Sequence, residues 1–70
     1  MLQNRLRELR ARYRLTQSDL GAKAGVTRQT IGFIEKGDYE PSITLALKIA
    51  EALDHTVEEV FWLDNSNNKR

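Results

Sequence analysis

Apolar residues in this chain recur at helical spacing, in short blocks. Leu2, Leu6, Leu9 and Tyr13 fall within about 60° of one another at roughly 100° per residue, which predicts a first amphipathic helix. Arg7, Arg10 and Arg14 lie along one flank of that stripe. Thr16 ahead of Gln17 starts a second helix, with Asp19 completing a pair like a capping box, and this helix runs to about Ala24. Gly25 suits a left-handed turn. Thr27 caps a third helix, with Ile31 and Ile34 on one side, that ends near Lys36 with Gly37 just beyond. After a loop at Asp38-Tyr39-Glu40-Pro41, Ser42 caps a fourth helix at 43–53. There Thr44, Lys48 and Glu51 form a narrow polar stripe, and Ile43, Leu45, Ala46, Leu47, Ile49, Ala50 and Leu53 cover the rest. Such a helix is expected at the centre, packed by its neighbours. Thr56 and Glu59 make a second capping box and open a short fifth helix. No run alternates with period two for long enough to demand a sheet. The expected fold is all-α, a bundle of five short helices.

Seventy residues are one small domain at most, expected to have marginal stability as a monomer. With no cysteine there is no disulfide staple and no thiolate metal site, which fits a reducing compartment. The longest unbroken apolar run, Val60-Phe61-Trp62-Leu63, is far too short to span a bilayer, and the charged first fifteen residues do not read as a signal peptide. The cytoplasm is the expected location, and no membrane partner is expected. Residues 1–63 form the expected domain, and 64–70 an expected flexible polar tail.

Net charge is only +1, but its distribution is uneven. Residues 1–14 hold Arg5, Arg7, Arg10, Arg12 and Arg14 against Glu8 alone, while residues 41–63 hold Lys48 against Glu51, Asp54, Glu58 and Glu59. This polarity fits a side that faces a polyanion, and equally a solvated arginine-rich helix.

Only Gly25, Val26 and the cap Thr27 join the second helix to the third, so the two are fixed at a steep angle. Leu20, Ala24, Val26, Ile31 and Ile34 are placed to lock that corner from within. This is the arrangement of a helix-turn-helix, whose second helix enters the DNA major groove with its N-terminal end toward the base edges. Arg28 and Gln29 stand at that end and can make two-pronged bonds to guanine and adenine respectively. Phe33, one turn on, can touch a thymine methyl. Two plainer readings stay open: Arg28 and Gln29 as solvated first-turn residues, and Phe33 as a core or dimer contact. A cation in the first turn is mildly unfavourable against the helix dipole, which counts against the plainer reading of Arg28.

The pattern L-T-Q, G-V-T-R-Q-T-I, I-E-K-G, P-S and L-K-I-A-E-A-L, within residues 4–63, resembles the XRE-type, lambda-repressor-like helix-turn-helix regulators, in particular the compact stand-alone kind that includes cytolysin repressors. The resemblance implies roles position by position. Thr27, Arg28, Gln29 and Phe33 match base-contacting positions, and Gln17, Lys36, Tyr39 and Ser42 match positions that grip phosphates. Gln17 also matches a position that can brace Gln29. Arg10 and Glu35 match an ion pair tying the first helix to the third, and Arg10 is also a candidate phosphate contact. Three residues depart from the family pattern: Gly21 in place of alanine, at up to about 1 kcal/mol of helix propensity; Asp54 in place of a helix-ending glycine; and Phe33 in place of a smaller or polar residue.

At least one of Val60 and Phe61 is expected in the core. Phe61, Trp62 and Leu63 are the expected interface of a two-fold homodimer, with Met1-Leu2-Gln3 and Phe61-Trp62-Leu63 pairing as a small β-ribbon as the stand-alone relatives imply. Enzyme readings fail on inventory. His55 is the only histidine, adjacent Glu58 and Glu59 point apart, and neither a phosphate-binding glycine loop nor metal-ligand spacing is present, so no cofactor is expected. The expected function is a sequence-specific regulator, most simply a repressor, bound to double-stranded DNA. A protein-interaction module of the antitoxin kind, with an unknown protein partner, is the rival reading; single-stranded RNA binding lacks a stacking platform.

Overall fold

The computed structural model describes residues 1–64, so the segment expected as a flexible tail lies outside the described residues apart from Asp64. A strand β1 (Leu2–Asn4) leads into helices α1 (Leu6–Tyr13), α2 (Gln17–Ala24), α3 (Arg28–Lys36), α4 (Ile43–Ala52) and α5 (Val57–Val60), and the chain returns as strand β2 (Phe61–Leu63). Five helices form the bundle. The two strands pair antiparallel in one small ribbon, with Leu2 opposite Leu63, Gln3 opposite Trp62 and Asn4 opposite Phe61. Asp64 N donates to the Met1 carbonyl at 2.9 Å, adding a further rung.

The ribbon expected from the family resemblance is present, with its first strand one residue later than Met1-Leu2-Gln3, and it corrects the start of the expected first helix. Leu2 shares the angular stripe of Leu6 and Leu9 but lies on β1, because pairing with residues sixty positions away overrides a local pattern that is compatible with a longer helix. Asn4 marks the change. Its Oδ1 accepts from the Leu6 N–H at 3.0 Å, satisfying a donor at the start of α1, and its Nδ2 donates to the Ile34 carbonyl at 3.0 Å. Arg14 then ends α1 in the left-handed region at φ 58°, a conformation that the sequence does not announce at an arginine.

Local chemistry sets the other boundaries. Thr16 and Asp19 form a reciprocal capping box at 2.9 Å in each direction, and Thr56 and Glu59 form another at 3.3 and 2.8 Å. Thr27 and Ser42 cap α3 and α4 by accepting from Thr30 N and Leu45 N. Asp54 takes φ 59°, the left-handed turn expected where relatives have glycine. Gly21 has a reason beyond helix propensity. A Cβ there would lie 2.7 Å from the Val26 carbonyl oxygen, so its absence lets α2 press against the cap of α3.

The core comprises Leu6, Leu9, Leu20, Ala24, Ile31, Ile34, Ala46, Ile49, Ala50, Leu53, Val60 and Phe61. Every helix and β2 contributes to it, so the elements share one continuous core. Two expectations about apolar residues change here. α4 is not wrapped all round: Ile49, Ala50 and Leu53 are buried, whereas Ile43 and Leu47 are 69 and 51% exposed on its outer face. Phe61 is only 7% exposed, which withdraws it from the expected dimer interface; β2 turns its ring under the bundle beside Val60.

The two capping carboxylates make stability depend on pH. Bonds from the Thr16 backbone N–H and then its side chain hold the Asp19 pKa below the ordinary range, and the Thr56 backbone N–H lowers that of Glu59. Their contribution is therefore complete above the ordinary carboxylate range and disappears as pH falls through the lowered folded values. Urea midpoints measured down through about pH 4 to pH 2 should decline less steeply for Asp19→Asn/Glu59→Gln than for the wild type, from a lower starting stability.

Candidate nucleic-acid interface

The turn between α2 and α3 is short, and both Gly25 N and Val26 N donate to the Gly21 carbonyl, the latter at 2.8 Å. Gly25 takes φ 80°. The chain thus leaves α2 by a left-handed step that glycine permits without a steric penalty, and Thr27 immediately begins α3. Leu20, Ala24, Ile31 and Ile34 are buried in the corner, with Val26 partly buried against them. Ile31 and Ile34 anchor one face of α3 in the core, at 0 and 1% exposure. Arg28, Gln29, Phe33 and Lys36 are exposed on the remainder of its surface. A helix with one face fixed in the core and the other free is the form needed to enter a groove.

A carboxylate holds that helix in place. The Glu35 side chain is 3% exposed. Its Oε2 accepts from Arg10 Nε at 2.6 Å, and its Oε1 accepts from Arg10 Nη2 at 3.2 Å and Gln17 Nε2 at 3.1 Å. Arg10 Nη1 also donates to the Leu15 carbonyl at 3.0 Å. One anionic group therefore joins α1, the start of α2 and the last turn of α3. The paired fork matches guanidinium to carboxylate and leaves neither buried charge alone.

This network establishes Arg10 as the tie between helices. Each of its three nitrogens donates within the fold and 16% of its side chain is exposed; these bonds use three of its five N–H donors. Gln17 departs from expectation. Its amide donates to Glu35 and does not brace Gln29.

The remaining residues lie around the outward face of α3. The Thr27 hydroxyl caps the helix and shares a 3.1 Å bond with the Thr30 hydroxyl, so it is partly engaged. Phe33 is 48% exposed, and Lys36 Nζ lies 5.7 Å from its ring centroid. Lys36 also stands 4.0 Å from Asp38 Oδ2, but both side chains are exposed and the pair is weak. Tyr39, 48% exposed, and Ser42 follow on the loop to α4. Phe33 and Tyr39 flank a cleft that also includes Val26, Thr30, Asp38 and Leu45. Arg7, a flank arginine to which the sequence pattern assigns no role, lines the cleft on the other side of Phe33 with Arg28, Gln29 and Lys36. Its spacing of three from Arg10 was the available signal, since Arg10 itself reaches α3.

A family model described as helix-turn-helix matches residues 6–60, most of the chain and all five helices. The chain belongs to the XRE-type, lambda-repressor-like helix-turn-helix family. This is a family of DNA-binding transcriptional regulators and not of enzymes. Among its members, an uncharacterised HTH-type transcriptional regulator of Bacillus subtilis strain 168, YgzD, is 53% identical over 66 residues, covering 94% of this chain and all of that one. The restriction-modification controller protein C.AhdI from Aeromonas hydrophila superposes with a TM-score of 0.74 at 39% identity, covering 77% of this chain and 82% of its own. The P22 c2 repressor, solved in complex with a synthetic operator, gives a TM-score of 0.73 at 26% identity, covering 76 and 80%. No helix of this helix-turn-helix protein is long and apolar enough, among the described residues, to cross a membrane.

Removing Arg10 alone should strand the Glu35 charge. Arg10→Met is expected to lower stability by roughly 3–5 kcal/mol, and Arg10→Met/Glu35→Leu to recover most of that loss, as read by urea unfolding. Equal losses in the single and double variants would show that the charge pair is not what joins the helices.

Proposed function

We propose that this regulator is a repressor that binds double-stranded DNA sequence-specifically, as a homodimer on a palindromic operator. The observation that carries the reading is the two-sided burial of α3: Ile31 and Ile34 lie in the core while Arg28, Gln29 and Phe33 face solvent from a helix held by Glu35. Arg28 and Gln29 supply paired donors and acceptors to base edges, Thr27 supports them at the cap, and Phe33 meets a thymine methyl. Gln17, Lys36, Tyr39 and Ser42 take backbone phosphates on either side. The similarity to an operator-bound repressor over three quarters of the chain supports the same use of α3.

What the ribbon leaves outside supports the dimer. Trp62 is 39% and Leu63 65% exposed next to Met1, and Arg5 lies 4.7 Å above the Trp62 ring. A two-fold axis through this end would repeat α3 at about 34 Å, one turn of DNA. A mass by analytical ultracentrifugation should give a dimer, and Leu63→Asp a monomer. A dimer that survives Leu63→Asp but not Leu47→Asp would move the interface to the exposed face of α4.

Selection from a random duplex pool should yield an inverted repeat. On it, Arg28→Ala should lose about 1–3 kcal/mol and relax one base position in each half-site. Lys36→Ala should weaken selected and random duplexes alike and reduce the salt dependence. Equal losses for Arg28→Ala on both duplexes would refute its role in reading bases.

A further inference from the structure

Residues 5–14 contain five arginines, and four have structural work within the fold. Arg10 binds Glu35 and the Leu15 carbonyl. Arg12 pairs with Glu8 at 3.4 Å, Arg5 lies over Trp62, and Arg14 closes α1. Arg7 is exposed and, among the described residues, has no hydrogen-bond or ion-pair partner. It lies beside a cleft of about 280 Å³ between α1 and the outward face of α3, lined also by Gln17, Arg28, Gln29, Gly32 and Lys36.

We infer that this cleft seats one phosphate of the DNA backbone and that Arg7 is its clamp. The first helix, and not only the two helices of the helix-turn-helix, then fixes how α3 lies in the groove. The inference rests on the DNA-binding reading above and adds to it a contact from a third element.

The electrostatics favour an anion. Arg7, Arg28 and Lys36 bring three cationic side chains to the cleft. Its carboxylate, Glu35, is bound on both oxygens by Arg10 and Gln17, so it is neutralised from within. The shape favours the same ligand. Gly32 leaves the cleft floor without a side chain; a Cβ there would already meet Gln17 Nε2 at 3.4 Å, and any longer group would stand in the opening. Gln17 thus lies low across α3, and the space above it stays clear for a tetrahedral oxyanion. A guanidinium is suited to hold such a group by two parallel bonds. The cleft borders the base-reading residues Arg28 and Gln29, and Arg7 reaches it from α1, so a phosphate held there would flank the bases that α3 meets.

The test measures equilibrium binding to the selected duplex and to a scrambled one, over a range of salt. Arg7→Ala is expected to bind both about tenfold more weakly near 0.1 M salt, with the log–log salt slope shallower by about one. Arg12→Ala, which removes an equal charge from the same helix, should stay within about twofold, since its partner is Glu8 and it is absent from the cleft. Gly32→Glu, which places a carboxylate in the cleft beside Gln17, should weaken both duplexes at least as much as Arg7→Ala, with a urea midpoint measured alongside to show that the fold is kept. A neutral methylphosphonate scanned along the duplex should find one position that weakens the wild type and has no further effect on Arg7→Ala. Identical behaviour of Arg7→Ala and Arg12→Ala overturns the clamp, as does a loss confined to the selected duplex. Inorganic phosphate competing with DNA more strongly than chloride at equal ionic strength would reassign the cleft to a small free anion. Wild-type protein that binds no duplex at all overturns the DNA-binding reading together with the clamp, which separates the two failures.

Discussion

Glu35 lies almost wholly out of water, and the arrangement of the first three helices depends on how its charge is answered. A carboxylate in that position is strongly unfavourable alone. Arg10 approaches it from α1 with two nitrogens, and Gln17 approaches from the first residue of α2. Apolar contacts between helices tolerate small slides, because they are not directional. A two-pronged ionic contact does not, and here it sits at the C-terminal turn of the helix whose other end carries Arg28 and Gln29. The orientation of the exposed face of α3 is thereby coupled to α1 through one polar group.

That coupling matters because the domain is small. Its core is built from one to three side chains of each short helix, and the longest of these helices has only ten residues. Helices of this length are marginal in isolation. Here each is stopped and started by local bonds: threonine and serine caps, two capping boxes, and left-handed residues at the ends. The turn between α2 and α3 concentrates these devices. Gly25 supplies the handedness, Gly21 the close approach, and Thr27 the new start, within seven residues. The result is a rigid corner that presents polar side chains outward without a large scaffold behind it.

The ribbon performs a second closure. By pairing residues 2–4 with 61–63 it brings the chain ends together, buries Phe61 and leaves Leu63 and much of Trp62 outside. Asn4 links this closure to α3 through the Ile34 carbonyl. The end of the molecule with exposed Trp62 and Leu63 is therefore bonded directly to the helix proposed to meet nucleic acid.

Much of this was legible in the residues themselves, because it depends on chemistry within one turn of chain. The Thr16–Asp19 and Thr56–Glu59 boxes, the stop at Gly25, the buried stripe of Ile31 and Ile34, and the left-handed Asp54 each involve groups at most four residues apart. The candidate interface was legible for the same reason: Arg28, Gln29 and Phe33 lie opposite that stripe on a single helix. What only the tertiary structure decided involves partners far apart in the chain. The exact register of the ribbon, Leu2 opposite Leu63, is set by pairing, Phe61 joins Val60 in the core and so leaves the outer face of the ribbon, Gln17 turns to Glu35, and among the described residues Arg7, unlike Arg10, has no hydrogen-bond or ion-pair partner beside α3. Ile43 and Leu47 stay exposed although their own helix reads as central. Periodicity records which side chains share a face, but which faces meet, and which charges are satisfied when they do, is settled only by packing all five helices at once.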